Sequence, residues 1–443
     1  MAAAIKAVLI TNVRVLDASG AQPFAGEVRI EGEQIFAVGR APSALPSEGA
    51  VVLDGGGATL MPGLIEPHAH LSFTDFVQSV ELGQIPPEDH TLMTARNALR
   101  LLDAGFTSCF SAAASKPRLD VAVRDAIARG DIPGPRLLAA SPEMTVTAGL
   151  GDVRLSHLYR ENFALICDGP DEFRRMARTL CREGVDTLKI NVSGDSGVPA
   201  SPADATVMTD AEVAAVCEVA RIHGKRLAAH ARSAESVKMC LKHGVDVIYH
   251  ATLLDNEAKD QLDAARDRVF VAPVIGHLVA TLHDAPKFGI RRSATHQRAL
   301  EREIEMGIET MRELKRRGVR ILPGGDYGFA WNPNGTNARD IEHFVKLFDF
   351  SPMDAIVAAT RLGGEIMGMG DRLGQIQPGY LADLILIDGD PLNDTSLLVD
   401  KSRIKAICQN GKFHKSPAEW WVPLTLKQKQ LNHGEHGGHG VEQ

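Results

Sequence analysis

From residue 61 to residue 372 the chain repeats one pattern: a short apolar run, then a longer stretch with apolar residues three and four apart. Thr107–Ala112 precedes a helical pattern at Leu119–Arg129, and Arg136–Ala140 precedes one at Pro170–Glu183. Thr187–Val192 is followed by Asp210–His223, Arg226–Ala231 by Ala234–His243, and Val245–His250 by Asn256–Arg266. Val269–Ile275 leads to a long helical pattern at Ala294–Arg317, and Val319–Gly324 to helices near Asp340–Phe348 and Pro352–Met367. With the apolar stretch that ends at His68 this makes eight strand–helix units. They predict an α/β fold, a (β/α)8 TIM-like barrel; even spacing favours it over a doubly wound open sheet.

The ends follow another rule. Lys6–Leu16 and Glu27–Val38 alternate or carry β-branched residues, and so do Ala382–Asp388 and Ile404–Cys408, with Gly and Pro turns between them. Residues 1–60 and 373–424 are therefore expected to form one composite β-sandwich domain beside the barrel at 61–372. Residues 425–443 hold the run Asn432-His-Gly-Glu-His-Gly-Gly-His-Gly440, which reads as a mobile, solvated His/Gly-rich tail.

Composition narrows the class of function. Hydrophobic content of 44% and charged content of 23% over 443 residues are those of an ordinary globular protein. A net charge of −8, without a basic run, offers no field for nucleic acid. No apolar run reaches the ~18 residues of a membrane span. Six cysteines without a C-x-x-C pair read as free thiols in a reducing compartment, and the expected location is the cytoplasm.

The chemistry lies at the strand ends. His68 and His70 close the first strand, and period-two alternation points both imidazoles the same way, as half of a metal site. Lys189 lies in the fourth strand, His230 closes the fifth, His250 closes the sixth, and Asp326 follows the eighth. Each alone has a plain structural explanation. Together they occupy the end of a barrel where catalytic groups gather.

This set resembles the metal-dependent amidohydrolase superfamily. The runs Met61-Pro-Gly-Leu-Ile-Glu-Pro-His68, Gly374-Gln-Ile-Gln-Pro-Gly-Tyr-Leu-Ala-Asp383 and Ser351-Pro-Met-Asp-Ala-Ile-Val-Ala-Ala-Thr360 carry the resemblance along nearly the whole chain. Asp168-Gly-Pro-Asp-Glu172, Gly184-Val-Asp-Thr-Leu-Lys-Ile190 and His250-Ala-Thr-Leu-Leu-Asp255 are similar to the imidazolonepropionase-like and prolidase-like branch, with its dipeptidases and ochratoxin amidohydrolases. The chain departs from that pattern at Asn191–Gly197, at Tyr249 and at Gly149-Leu-Gly151, so substrate does not transfer from relatives.

The resemblance implies two divalent metal ions, with Zn2+ suited to the ligands. His68, His70 and Asp326 would hold the more buried ion, and His230 and His250 the other. Lys189 would bridge them as a CO2-derived carbamate. Asp326 would take a proton from the shared water and deliver it to the leaving nitrogen. The expected reaction is hydrolysis of a C–N amide bond, with a tetramer or octamer as the family's assembly. The aromatics Tyr327, Phe329 and Trp331, and His277 in the loop Gly276–His283, are candidate substrate contacts. They favour a small hydrophobic or aromatic amide, such as an N-acyl amino acid or an ochratoxin-like molecule. A dipeptide, a mononuclear deaminase, a cyclic-amide hydrolase and a non-catalytic scaffold are the alternatives.

Overall fold

The computed structural model describes residues 7–198 and 200–421. Met1–Lys6 and the tail from 425 lie outside the described residues. Both chain ends meet in one hydrogen-bonded sheet of eight strands. Ala7–Val15 is its hub: Val8–Thr11 pair in parallel with Val51–Asp54, and Arg14 and Val15 pair with Thr59 and Leu60. The stretch read as one strand at Glu27–Val38 is a hairpin, Phe24–Glu31 and Gln34–Arg40, turning at Gly32, whose φ is +58°. From the other end, Leu384–Ile387 pairs antiparallel with Thr59–Pro62 and Ile404–Gln409. Val8, Ile10, Ile35, Leu60, Leu386 and Trp420 form the core of this unit.

The α/β region is a run of parallel strands with helices between them. Leu64–Ala69 pairs with Phe106–Ser111, which pairs with Arg136–Leu138. After a break at Ala139 the chain resumes as Ala140–Thr145, which ends five residues past the expected end of the third strand at Ala140. The ladder then continues through Thr187–Asn191, Arg226–Ser233, Val247–Leu253, Phe270–Ala272 and Arg320–Ile321. No ladder joins this last strand to Leu64–Ala69 among the described residues, so the hydrogen-bonded ring is open there. Instead Gly324 packs its backbone against the first strand; a Cβ at Gly324 would lie 2.8 Å from the His68 Cβ.

Period two explains the layering. Leu188, Ile190, Leu227, Ala229 and Ile248 belong to the large core between strands and helices. The intervening Ala228, Val247 and Tyr249 belong to a second cluster with Ile65, Phe110 and Phe270. Several helices begin or end where local chemistry says they should. Thr209 and Glu212 make a capping box for Asp210–Ile222, and Ser351 and Asp354 make one for Pro352–Ala359. Gly130 and Gly244 close Leu119–Arg129 and Ala234–His243 in left-handed conformation.

Four expectations change. The fifth and sixth strands run on to Ser233 and Leu253, so His230 and His250 do not close them. The presumed loop Gly276–His283 is the helix Ile275–His283. The helix expected across Pro352–Met367 breaks at Thr360 into Pro352–Ala359 and Arg361–Ile366. Helix Pro87–Asp103 was not anticipated.

Candidate active site

His68 and His70 do share a face: their Nε2 atoms are 3.2 Å apart. Glu66, two residues earlier on the same face, lies beneath them and accepts from the His68 backbone N–H at 2.9 Å and from Asn337 Nδ2 at 2.8 Å. Burial pushes the Glu66 carboxyl up to about 8. His70 Nδ1 is fixed by the Ala113 carbonyl at 3.1 Å, leaving Nε2 facing Asp326 Oδ1 at 3.1 Å. One ligand-type atom from each of His68, His70 and Asp326 lies within 4.8 Å of the others. Asp326 enters from a residue with φ of +56°, which turns the chain out of the eighth strand. Burial pushes its carboxyl up, yet His70 and His68 hold it well below the usual carboxylate range.

Lys189 is 1% exposed, and its Nζ lies 3.6 Å from Glu143 Oε1 and 4.9 Å from the Tyr249 ring centre. Burial lowers its proton affinity, against the pull of Glu143 and Asp326. His230 and His250 pack at 4.2 Å between ring centres, and His250 lies 5.9 Å from His68. Alternation along Val247–Leu253 would send His250 away from Tyr249. His250 and Ala251 instead take φ of +75° and +52°, breaking the pleat and bringing both rings to the site. Such conformations cost about 1–3 kcal/mol each and persist only where surroundings enforce them.

Burial pulls the histidines toward neutrality: His68 and His250 fall well below the ordinary value and His230 falls to about 3, with Arg232 adding to burial in the last case. Neutral imidazoles are the form that binds metals. Asp326 Oδ1, the atom that faces both His68 and His70 Nε2, is buried without a hydrogen-bond partner, an unusual cost that a cation would relieve. The donor set of His68, His70 and Asp326 therefore fits a divalent ion. His230 is differently placed, its Nε2 bonded to the Gly194 carbonyl at 2.9 Å.

All six residues line one cavity of about 490 Å3. Phe329 and Trp331 line it, as does His277, whose ring packs 4.4 Å from Phe329. Tyr327 does not. It is buried beneath, its hydroxyl donating to the Asn337 carbonyl at 3.2 Å, because the turn at Asp326 and Gly328 sends alternate side chains inward. Phe73, Phe76 and Phe163 complete an aromatic wall that sequence reasoning missed. Also missed were Glu143, Asp195 and Arg232. Arg232 is fully buried, binds Asp195 Oδ2 at 2.6 Å and pairs with Glu303, which accepts from Thr252 at 2.7 Å. Glu143 and Arg232 both follow the inward rule of their strands, and the expected strand ends stopped short of them. The Gly149–Gly151 and Asp195–Gly197 segments, where the sequence departs from the resemblance, line the cavity.

The Amidohydrolase family profile matches residues 59–414, and the chain belongs to that family. It is a hydrolytic enzyme acting on C–N bonds. Among its relatives, the ochratoxinase of Aspergillus niger is 24% identical over 391 residues, covering 81% of this chain and 76% of the relative. The imidazolonepropionase of Aromatoleum aromaticum is 24% identical over 404 residues, covering 86% and 91%. A crystal structure of a Xaa-Pro dipeptidase with bound methionine in the active site superposes with a TM-score of 0.81 at 26% identity, covering 93% of this chain and all of that one. Among the described residues no helix is long and apolar enough to cross a membrane.

Proposed function

We propose that this protein is a binuclear-metal amidohydrolase that cleaves the amide bond of a small substrate with a hydrophobic or aromatic portion. The observation that carries the reading is convergence: His68, His70, Lys189, His230, His250 and Asp326, drawn from four strands and the segments that follow the first and the last strand of the α/β region, face one cavity walled by aromatic rings. His68, His70 and Asp326 would hold one ion, His230 and His250 the other, with Lys189 between them as a carbamate. The buried Lys189 amine suits that role, since burial lowers its proton affinity and so favours the nucleophilic free base. When bound, divalent ions supply an ionised water at neutral pH and polarise the scissile carbonyl.

The chain's own residues do the rest. Asp326, ionised and 3.1 Å from His70, is placed to take the water's proton and return it to the departing nitrogen. His277 and the rings of Phe329 and Trp331 bound the space in which the substrate lies, and the aromatic wall offers it an apolar surface. Assembly into a tetramer or octamer, and a cytoplasmic location, belong to this same reading.

A second reading, a dipeptidase, is favoured by the likeness to the Xaa-Pro dipeptidase structure. One screen separates the two: zinc-loaded enzyme assayed on N-acyl aromatic amino acids, aryl amides and dipeptides including Xaa-Pro. The first reading expects turnover of the N-acyl aromatic amino acids above that of dipeptides. Preference for dipeptides by kcat/KM would replace it with the second, and turnover of none of the three groups would refute both.

A further inference from the structure

Arg292 is a half-buried cation without a counter-charge. It lies on the cavity wall just before helix Ala294–Arg316. Among the described residues its hydrogen bond is Nη1 to the Thr281 carbonyl, at 2.9 Å, and it forms no ion pair. The acid that acts on it electrostatically is Asp195. Asp195 is already engaged: Oδ2 binds Arg232 at 2.6 Å, and Oδ1 accepts from the Gly197 N–H at 3.1 Å and from Ser196 at 3.3 Å. A guanidinium withdrawn partly from water without an anionic partner is costly. Its free N–H edges form a planar fork matched to a carboxylate.

The frame around Arg292 is fixed. Thr281 is buried in helix Ile275–His283, and its hydroxyl receives the Trp331 indole N–H at 2.9 Å and faces His277 Nε2 at 3.4 Å. Trp331 in turn packs 5.4 Å from Phe329 between ring centres. One residue, Thr281, thus ties the cation to the aromatic wall beside Asp326. Of the other arginines at the cavity, Arg160 shares the lack of an ion pair among the described residues, but it bonds a carbonyl of its own loop and not one of a buried helix. Arg154 is half-exposed and paired with Asp152 at 3.1 Å, and Arg160 donates to the Val153 carbonyl from the same loop.

We propose that Arg292 is the specificity-determining residue that binds a free carboxylate on the substrate, with an adjacent aromatic side chain against Phe329 and Trp331. Resting on the amidohydrolase reading above, this names the substrate class: N-acyl derivatives of aromatic α-amino acids. The carboxylate remains on the amine half after cleavage, so the product amino acid binds at the same place.

The test compares N-acetyl-L-phenylalanine with N-acetylphenethylamine, which lacks only the carboxylate. The ratio of their kcat/KM values should fall roughly 10- to 100-fold in Arg292→Met, through KM for the acid, with part restored by Arg292→Lys. In Arg160→Met the ratio should hold. Calorimetry of L-phenylalanine on the metal-loaded protein reads the same site without turnover and should weaken by a similar factor in Arg292→Met. An unchanged ratio in Arg292→Met, or a fall produced by Arg160→Met instead, overturns the proposal. If neither amide is cleaved, the amidase reading fails by itself and calorimetry decides: loss of L-phenylalanine affinity in Arg292→Met supports the carboxylate site, and equal affinity in wild type and variant, or none in wild type, refutes it.

Discussion

The two halves of the metal-type constellation are built differently. His68, His70 and Asp326 are drawn together: three ligand-type atoms lie within 4.8 Å, with the His68 ring packed 3.8 Å from that of Tyr249, His70 fixed by the Ala113 carbonyl and Asp326 set by its turn. In the Lys189, His230 and His250 half the two imidazoles pack at 4.2 Å between ring centres, but other donor atoms are already engaged by protein groups. Lys189 leans on Glu143 at 3.6 Å, and His230 is bonded to Gly194 at 2.9 Å. The difference lies in chain geometry. Two ligands on one strand inherit their spacing from the pleat, whereas ligands on three strands need loops and buried ion pairs to set theirs. The donor atoms of the first half face one another, whereas Lys189 and His230 of the second are engaged by other protein groups.

The largest expected effect comes from the residue on which the first half depends. Asp326→Asn removes the carboxylate beside His70 and the proposed proton carrier. Loss of kcat should be roughly 10²- to 10⁴-fold, with weakened metal retention. A variant within threefold of wild type on the best substrate from the screen would break the assignment.

Next is the support of the second half. Arg232→Met leaves Asp195 and Glu303 buried without their cation, which costs about 3–5 kcal/mol in comparable cases. Urea unfolding of the metal-free protein measures it. A loss below about 1 kcal/mol would show that the pair does not hold the His230 side together.

The pH dependence of the metal-free protein sharpens the comparison further. His230 titrates near 3 in the folded chain, against 6.5 for the free side chain, and His68 and His250 shift the same way. Between those values the unfolded chain binds more protons, so stability present above pH 6.5 is lost on acidification, by up to about 1.4 kcal/mol per pH unit for each histidine. Glu66, raised to about 8 from 4.5, works in the opposite sense: its contribution is present below pH 4.5 and lost as pH rises through 8. Melting temperatures from pH 7 to 5 should therefore fall, and Glu66→Gln should steepen the fall. A flat profile in both proteins would contradict the stated directions.

Much of this was legible in the sequence, for identifiable reasons. Helices Leu119–Arg129 and Ala234–His243 have the expected bounds because Gly130 and Gly244 stop them. His68 and His70 share a face because nothing interrupts the pleat between them. The same rule is silent about His250, which reaches the site only through left-handed backbone at a β-strand residue. Tyr327 was expected beside the substrate and is buried, since proximity in sequence to Asp326 says nothing about which way a turn aims its side chains. His277 was placed in a loop but lies in the helix Ile275–His283, where the small size of Gly276 admits Asp340, whose Oδ1 a Cβ there would meet at 2.2 Å. Glu143, Arg232 and Arg292 were missed because their partners lie 37 to 71 residues away or, for Arg292, because an unpaired cation is visible only once its surroundings are known.

Metal stoichiometry tests the central claim most directly. Wild-type protein purified with zinc and bicarbonate should carry about two divalent ions per chain. Lys189→Ala should carry one or fewer and lose activity in step, with partial recovery on adding formate or acetate. One ion per wild-type chain at full activity, or full activity in metal-stripped Lys189→Ala, would contradict the account.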